Sequence, residues 1–247
     1  MIKTNTSVPP YSHGLSVVMP AYNEEANIEQ VCKEFCEQVL SQFKDPEYII
    51  INDASTDRTQ EILETLKKEY PYITIFKNAH NMGHGPSLLR AYRAASKEFI
   101  FYSDADNQIL AQEFWNIWKQ METQNVALVT GIRVHRQDPF YRLIITRILR
   151  LLNLLLFQAS VRDINCPFKL WKRPALARVL PFLPSRPLII SALMLISAKK
   201  QGIPLCETPV AHYPRTGGKS FIRDIKIIRL CWNATIELVR FKRNRMS

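Results

Sequence analysis

The strongest constraint on the fold is an alternation of short apolar segments and helical patterns through the first 130 residues. Apolar runs predict strands at 15–19, 48–51, 72–76, 99–102 and 126–130. Helical spacing separates these runs at 26–40, 57–70, 86–96 and 112–123. Such an alternation is typical of a largely parallel sheet that is covered by helices. The sequence therefore predicts an α/β fold for this half of the chain.

Polar motifs follow the predicted strands at the points where the strands end. They occupy residues 20–25, 52–57, 78–85 and 104–106. In a parallel sheet, ligands collect at the carboxyl ends of the strands. We therefore expect these four motifs to contribute to one shared site.

Two acids one residue apart, Asp104 and Asp106, come directly after the apolar run at 99–102. Residues i and i+2 at a strand end point the same way, so both carboxylates can converge on one divalent ion. Gln108 is close enough in sequence to add an amide oxygen. Oxygen ligands of this kind suit Mg²⁺ or Mn²⁺, which in turn suits a diphosphate substrate. Taken alone, the motif is equally compatible with a solvated turn.

The charge of the chain is divided unevenly between its two halves. Residues 1–130 carry 11 Lys and Arg against 17 Asp and Glu, a net charge of −6, whereas residues 131–247 carry 22 against 5, a net charge of +17. Such an asymmetry predicts an anionic partner for the second half: phospholipid head groups, a lipid phosphate or nucleic acid. The basic half lacks the interleaved aromatic residues of single-strand binders, and no nucleic-acid motif is present, so nucleic acid is the least favoured.

The cysteines and the hydropathy pattern bear on location. The five cysteines are odd in number and form no CxxC pair, which argues against a disulfide framework or a zinc site and fits a reducing compartment. No uncharged apolar run reaches eighteen residues, and the N-terminus does not resemble a signal peptide. We therefore expect a peripheral protein at the cytoplasmic face of a membrane.

The second half has a different pattern from the first. Helical spacing over 139–158 gives a wide apolar face beside basic residues, as in a helix that lies in a membrane interface. A helix buried against the sheet or in a dimer is the alternative. A last helix over 221–241 ends in a basic tail. We expect an N-terminal tail at 1–14, a main domain at 15–220 with the interface region 139–160 inserted, and a C-terminal amphipathic helix and tail at 221–247.

Seven segments, in this order, resemble the family 2 glycosyltransferases of GT-A fold. They are VVMPAYNEEANI (17–28), INDASTDRT (51–59), NMGHGPSLLRAYRAA (81–95), SDADNQ (103–108), GIRVHRQD (131–138), DINCPFKLWKR (163–173) and YPRTGGKS (213–220). The last three are the more specific, and are similar to the branch that transfers sugars to polyprenyl phosphates and includes dolichyl-phosphate mannose synthase.

The resemblance implies roles for individual residues. The nucleoside pocket would be lined by Pro20, Tyr22, Glu24, Ile51 and Asp53. The metal and diphosphate site would be formed by Asp104, Ala105, Asp106 and Gln108, with Mg²⁺ or Mn²⁺ held by Asp104, Asp106 and Gln108. Arg133 and Arg136 would meet the acceptor phosphate or the donor, and Arg215 and Lys219 would close over the diphosphate. Asp106, Arg133, Arg136 and Arg215 are the predicted catalytic residues.

Two departures from the family pattern concern the second motif. Asn52 stands where the family often has an aspartate, and Ala54 stands where glycine is usual, so both neighbours of the predicted base contact, Asp53, differ from the family pattern. Simpler explanations also stay open for several residues. Arg133 and Arg136 could be surface arginines, Glu25 and Asp57 could be acids at helix termini, Asp163 could pair locally and His84 could be an incidental loop residue.

The activity that the resemblance implies is an inverting transfer of a sugar from a GDP- or UDP-sugar to a polyprenyl phosphate. An ionised phosphate acceptor needs no strong general base, which suits a half with few acids. One alternative is a family 2 enzyme that acts on a glycan or protein hydroxyl. Another is a membrane-associated binding protein without catalysis. A membrane-embedded partner subunit or a homo-oligomer is compatible with the sequence.

Overall fold

The computed structural model describes residues 10–134, 161–214 and 224–245. The strands are β1 (Tyr11–Ala21), β2 (Phe43–Asn52), β3 (Ile73–Lys77), β4 (Phe99–Tyr102), β5 (Leu128–Val134), β6 (Lys169–Lys172) and β7 (Leu205–Ala211). The helices are α1 (Ile28–Gln38), α2 (Thr59–Glu69), α3 (His84–Ala94), α4 (Phe114–Thr123), α5 (Arg173–Val179), α6 (Ile190–Lys200) and α7 (Asp224–Arg245).

The seven strands form one sheet in the order β3-β2-β1-β4-β6-β5-β7. Only β6 runs antiparallel to its neighbours, β4 and β5; the other described pairs are parallel. The predicted α/β fold with a mostly parallel sheet is therefore confirmed. The chain leaves the β3 edge and returns beside β1 as β4, so the sheet order reverses between β1 and β4. A crevice at the carboxyl ends of the strands forms at such a point.

Alternation along the strands separates two apolar layers, one on each face of the sheet. Val17 and Met19 of β1 belong to the layer that contains Phe35 of α1 and Trp118 of α4. Val18, between them in sequence, belongs to the layer of α3, α5 and α6 on the other face. Both faces of β1 are thus buried, which is expected for a central strand of a sheet that helices cover.

The boundaries differ from the sequence prediction at the N-terminus. β1 begins at Tyr11, inside the tail predicted for residues 1–14. Aromatic packing holds this start in place: the Tyr11 ring stacks on Phe43 at 5.1 Å and on Trp115 at 5.6 Å between centroids. Residues 11–14 of the predicted tail therefore belong to β1.

The last helix, α7, contacts the body of the protein through one side only. Ala234, Leu238 and Phe241 are buried, at the i, i+4, i+7 spacing of a single helix face. The Glu237 carboxylate accepts hydrogen bonds from the backbone N–H groups of Leu188, at 3.0 and 3.1 Å, and Ile189, at 3.0 Å. Glu237 therefore binds the amide groups that precede the first turn of α6.

Two of the sequence predictions on the second half concern membranes. The predicted interface region, 139–160, lies outside the described residues. Among the residues that the structure does describe, no helix has the length and apolar character needed to cross a bilayer.

Candidate functional site

The loops after β1 and β2 are joined to each other by hydrogen bonds between side chains and backbone. The Asn23 N–H donates to Ser55 Oγ at 3.0 Å, and the Thr56 N–H donates to Asn23 Oδ1 at 2.8 Å. The Glu24 N–H donates to Thr59 Oγ1 at 2.9 Å. Each bond satisfies a backbone donor, so the two loops form one fixed wall.

Glu25 and Asp57 complete this junction at the starts of α1 and α2. The Arg58 N–H donates to Glu25 at 3.0 Å, and the Glu25 N–H donates to Asp57 at 3.1 Å. Partial burial opposes ionisation of Asp57, but hydrogen bonds from the hydroxyl and amide of Thr59 outweigh it and lower the Asp57 pKa. Both acids thus stabilise loop and helix ends, in agreement with the simpler explanation from sequence.

Three non-glycine residues with left-handed backbone lie in the site loops. Asn23, Ala54 and Asn107 have φ values of 53°, 60° and 57°. Asparagine tolerates this conformation, but an alanine there is strained by its Cβ atom. Glycine adopts this conformation without strain, which explains why the family usually has glycine at position 54. Ala54 keeps the same turn with a strained backbone.

Asp53 is buried beneath the loop that precedes α3. Its Oδ1 accepts hydrogen bonds from Asn78 Nδ2 at 2.6 Å and the Met82 N–H at 2.8 Å, and its Oδ2 accepts one from the Gly83 N–H at 2.8 Å. Gly83 has a φ of 92°, which a residue with a side chain rarely adopts. Asp53 therefore fixes this loop, in addition to lining the cavity described next.

A cavity of about 220 Å³ opens at the carboxyl ends of β1, β2 and β4. We call it the larger cavity, because a second and smaller cavity lies beside it at the same site. Its lining residues are Pro20, Ala21, Tyr22, Glu24, Asp53, Asn81, Gly83, His84, Ser87, Asp104, Ala105 and Asp106. All the residues predicted for the nucleoside pocket are there except Ile51. Ile51 is fully buried in the apolar layer on the side of α3, because its side chain points into the core. Its predicted place on the pocket wall does not agree with the structure.

Asp104 is held by two side chains that sequence analysis did not connect with it. The Tyr102 hydroxyl donates to Asp104 Oδ1 at 2.6 Å, and His84 Nε2 lies 3.3 Å from the same oxygen and 2.8 Å from the Tyr102 hydroxyl. Burial alone would raise the Asp104 pKa, but contacts with His84 and Tyr102 and the charge of Arg133 lower it overall. Burial opposes a positive charge on His84, but the hydrogen bond to Asp104 and the nearby carboxylates outweigh it. The His84 pKa is therefore raised above its usual value.

Asp106 and Gln108 form the next turn of the same loop. Asp106 Oδ1 accepts the Gln108 N–H at 3.2 Å. Gln108 is tied to the segment after β7, because its Nε2 donates to the Tyr213 carbonyl at 3.3 Å and its own carbonyl accepts the Tyr213 N–H at 2.8 Å. The predicted metal residues thus lie where the first half of the chain meets the second.

A smaller cavity, of about 20 Å³, lies beside the larger one. Its lining residues are Ser103, Asp104, Asp106, Gln108, Ile109, Arg133, Pro167, Phe168 and His212. Asp104 and Asp106 therefore line both cavities and stand between them. His212 was not singled out from the sequence; its only signal there is its position two residues before Pro214, next to the YPRTGGKS segment.

Arg133 lines the smaller cavity, and it is not a surface arginine. Its Nε donates to Asp163 Oδ2 at 2.8 Å and its Nη2 donates to Asp163 Oδ1 at 2.9 Å. The two side chains are 15% and 4% exposed. Sequence suggested local pairing for Asp163, but its carboxylate instead pairs with a residue 30 positions away, and that partner, Arg133, lines the smaller cavity. The other predicted cations, Arg136, Arg215 and Lys219, lie outside the described residues.

The predicted metal ligands fit a cation that is shared with a substrate. Within the described part of the chain, no group of three or more His, Cys, Asp and Glu side chains is placed to hold a metal. Two carboxylates and one amide, Asp104, Asp106 and Gln108, line the smaller cavity together. Mg²⁺ commonly uses one or two carboxylates, with substrate phosphates and water as its remaining ligands. The donor set therefore suits a hard divalent ion bound together with a diphosphate.

Comparison with curated proteins shows several similar enzymes. The chain is 29% identical to dolichyl-phosphate β-glucosyltransferase ALG5A of Trichomonas vaginalis, over 87% of this chain and 70% of that protein. It is 24% identical to the Saccharomyces cerevisiae dolichyl-phosphate β-glucosyltransferase, over 88% of this chain and 75% of that protein. It is also 27% identical to glycosyltransferase AglD of Haloferax volcanii, of which it spans only 38%.

Solved structures with the same fold include glucosyl-3-phosphoglycerate synthase from Mycobacterium tuberculosis. A complex of that enzyme with Mn²⁺, UDP and glucosyl-3-phosphoglycerate matches 93% of this chain and 80% of that chain, with a TM-score of 0.71 and 19% identity. A complex with Mn²⁺, UDP-glucose and glycerol 3-phosphate matches with the same TM-score and 18% identity. At this identity the likeness concerns the fold.

The family assignment rests on a family model that matches more than half of the chain. Residues 16–180 match the family model described as "Glycosyl transferase family 2". The matched range runs from β1 to the end of α5 and includes both cavities except His212. The chain therefore belongs to the family 2 glycosyltransferases.

Proposed function

We propose that this protein transfers a sugar, with inversion, from a nucleotide-sugar to a polyprenyl phosphate at a membrane surface. The observation that carries the proposal is the position of Asp104 and Asp106 between two cavities. Asp53, Glu24 and Tyr22 line one side, and Arg133 lines the other. A cation at the two aspartates would meet the diphosphate of the donor from the larger cavity and the acceptor from the smaller one.

The donor side has the features that a nucleoside diphosphate needs. Glu24 supplies a carboxylate for ribose hydroxyls, and Tyr22 supplies a ring beside the base or ribose. The fixed loops after β1 and β2 keep both residues in place before the donor arrives. Preorganised polar groups of this kind lose little free energy to reorganisation during the reaction.

The acceptor side favours an anion over a hydroxyl group. A hydroxyl acceptor needs a carboxylate base within hydrogen-bonding reach. Three acids of the second half whose side chains the structure describes already have other partners: Asp163 binds Arg133, Glu207 accepts the Arg162 N–H at 2.7 Å, and Glu237 binds the start of α6. An ionised phosphate needs no base, and Arg133 supplies a positive charge at the smaller cavity.

The reaction then has a simple balance. A phosphate oxygen of the acceptor forms a bond to the anomeric carbon, and the bond from that carbon to the diphosphate oxygen breaks. The departing nucleoside diphosphate takes the electron pair, and no proton has to move. Mg²⁺ or Mn²⁺, held by Asp104, Asp106 and Gln108, would neutralise charge on the diphosphate. Arg133 would bring the second anion close against the electrostatic repulsion of the first.

Glucose is the first candidate for the sugar. Three of the similar proteins, two from Trichomonas vaginalis and one from Saccharomyces cerevisiae, are dolichyl-phosphate β-glucosyltransferases. The larger cavity does not discriminate between UDP and GDP by any contact described above. The donor panel of the experiment below therefore includes both nucleotides.

A two-sided helix supports the membrane part of the proposal. Opposite the buried face of α7, Trp232 and Val239 are 67% and 51% exposed, and Arg243 continues the same stripe. Phe182 and Leu188 are also exposed, and Arg186, Arg240 and Lys242 add positive charge. Apolar and basic side chains together suit the surface of an anionic bilayer. We expect sedimentation with anionic vesicles and not with neutral ones; equal sedimentation with both would contradict this part.

A transfer assay tests the proposal. Purified protein receives Mn²⁺ or Mg²⁺, a polyprenyl phosphate in detergent and radiolabelled UDP- or GDP-sugars, and the lipid phase is counted. We expect metal-dependent label in the lipid phase, and a loss of about 100-fold or more in Asp106→Asn. The matched control is Asp57→Asn, an acid of the loop wall outside both cavities, which should retain activity.

The other outcomes of this assay contradict the proposal in different ways. Donor hydrolysis without lipid label would move the acceptor to a glycan or a protein hydroxyl. Failure of every nucleotide-sugar to bind would leave a membrane-associated protein without catalysis.

A further inference from the structure

The ion pair of Arg133 and Asp163 has more contacts than an ordinary salt bridge. The Asp163 carboxylate accepts both guanidinium bonds and also the Arg133 N–H, at 3.2 Å. Two ions this deeply buried lose much of their hydration, so such a pair adds little to stability compared with apolar residues. Arg133 lines the smaller cavity together with Asp104 and Asp106, which suggests a different use for the pair.

The turn that carries Asp163 is itself fixed on both sides. Before it, the Arg162 N–H donates to Glu207 of β7 at 2.7 Å. After it, the Cys166 N–H donates to the Asp163 carbonyl at 3.2 Å. The turn also fits closely against β5, because a Cβ atom at Gly131 would lie 2.8 Å from Cys166 Sγ. The turn therefore holds Asp163 in place, so the ion pair fixes the side chain of Arg133 and not the reverse.

Lys169 stabilises the same turn from the interior of the protein. Its side chain is fully buried, and its Nζ donates to the Cys166 carbonyl. In the described parts of the chain, no carboxylate oxygen forms an ion pair with Lys169. Burial lowers the Lys169 pKa to about 8, and the nearby Asp163 carboxylate opposes this shift. Lys169 thus holds the turn through its hydrogen bond to the Cys166 carbonyl.

We infer that Asp163 is a positioning residue for the proposed transfer: it fixes the guanidinium of Arg133 where the acceptor phosphate enters, and Lys169 fixes the turn that holds Asp163. The inference rests on the proposed function. Asp163 occupies the Nε and Nη2 edge of the guanidinium, which sets the plane and direction of the whole group. A long arginine side chain otherwise samples many rotamers, and an oriented charge serves the reacting anion better than a mobile one.

A double-mutant cycle tests the inference. Wild type, Arg133→Met, Asp163→Asn and the double variant are compared by kcat/KM for the polyprenyl phosphate and by the Kd of the nucleoside diphosphate with Mn²⁺. We expect Asp163→Asn to lower kcat/KM for the acceptor by about 10- to 100-fold while the Kd changes less than about 2-fold. The double variant should be no worse than Arg133→Met, because Asp163 acts only through Arg133.

Additive losses in the cycle would overturn the inference, as would an unchanged kcat/KM in Asp163→Asn. The matched control is Glu207→Gln, which removes a carboxylate beside the same turn but keeps a side-chain oxygen to accept the Arg162 N–H, and which should keep the acceptor kcat/KM near that of wild type. A Glu207→Gln loss equal to that of Asp163→Asn would reduce Asp163 to a structural role.

A second variant covers the case in which Asp163→Asn does not fold. Arg133→Lys keeps the charge but cannot form the two-pronged pair, so its KM for the acceptor should rise while the Kd of the nucleoside diphosphate is retained. A wild-type KM in Arg133→Lys would contradict the inference. Wild-type protein without any transfer activity would instead contradict the proposed function, so the two failures are distinguishable.

Discussion

Asp53 and Asp163 are equally buried, at 3% exposure each, but their charges are balanced by different means. Asp53 lines the larger cavity, and Asp163 pairs with Arg133, which lines the smaller one. Asp53 accepts hydrogen bonds from two backbone N–H groups and one side-chain amide of the 78–83 loop, all of them neutral donors. Asp163 is balanced by the guanidinium of one arginine. The first arrangement organises a loop around a ligand, and the second holds a cation in place.

The difference agrees with the charge of the two halves of the chain. The first half has a net charge of −6 and surrounds the larger cavity with carboxylates and amides that accept and donate hydrogen bonds. The second half, at +17, places Arg133 on the other side of Asp104 and Asp106. Each cavity therefore has the chemistry that its proposed ligand needs: hydroxyl and base groups on one side, and a phosphate on the other.

The largest effect is expected where a charged partner is removed. Arg133→Met leaves the Asp163 carboxylate buried without its guanidinium, which should lower the free energy of unfolding by about 4 kcal/mol. Urea denaturation measures this loss. The Arg133→Met and Asp163→Asn double variant should recover a large part of it. A loss below about 1 kcal/mol would mean that the pair behaves as a surface salt bridge.

A smaller loss is expected where neutral donors balance the charge. Asp53→Ala removes the acceptor for the Met82 and Gly83 N–H groups and for the Asn78 side chain, which should cost about 3 kcal/mol and weaken nucleotide binding. Asp45→Ala, at an exposed acid that pairs with Lys97 at 2.6 Å, is the matched control and should cost less than about 1 kcal/mol. Equal losses in the two variants would contradict the role of Asp53 in the loop.

The loop wall on the donor side should also depend on pH through Asp57. Its pKa in the folded protein lies below the ordinary value of 3.8, so its stabilising effect is complete above that value. The effect is lost as pH falls through the lower, folded pKa. The difference in unfolding free energy between wild type and Asp57→Ala should therefore be about 1 kcal/mol at neutral pH and shrink below pH 3.8. Unfolding curves across this range measure it, and a difference independent of pH would exclude the ionised carboxylate as its cause.

The smallest effect is expected at the strained turn after Asp53. Ala54→Gly relieves the positive φ of 60° but adds freedom to the unfolded chain, so we expect a net stabilisation of about 0.5 kcal/mol. Thermal unfolding measures the change. Destabilisation by the glycine would show that the Ala54 methyl group makes contacts that outweigh its strain.

The sequence predicted the donor side better than the acceptor side, for physical reasons. The apolar strands of the first half, each followed by a polar motif, have a period and a length that identify them. The short β6 begins with Lys169, whose burial no hydropathy pattern predicts, and β7 contains Pro209. Helix α6 is buried on all sides, so it shows little periodicity.

In the site, too, the sequence identifies residues that are neighbours along the chain but not those that only the fold brings together. Asp104 and Asp106 could be found because they are neighbours in sequence. The contacts of His84 with Asp104 and of Arg133 with Asp163 join residues 20 and 30 positions apart, and only the folded sheet brings them together. Ile51 shows the opposite error: it lies next to the site in sequence, but the alternation of the strand directs it into the core.

The most direct test of the central claim, that the acceptor is a phosphate, compares two acceptors with the same hydrocarbon chain: polyprenyl phosphate and the corresponding polyprenol. The account predicts metal-dependent transfer of labelled sugar to the phosphate and none to the alcohol, because Arg133 binds an anion and the three described acid side chains of the second half already have other partners. Transfer to the polyprenol at a similar rate would contradict the account and require a general base at the smaller cavity.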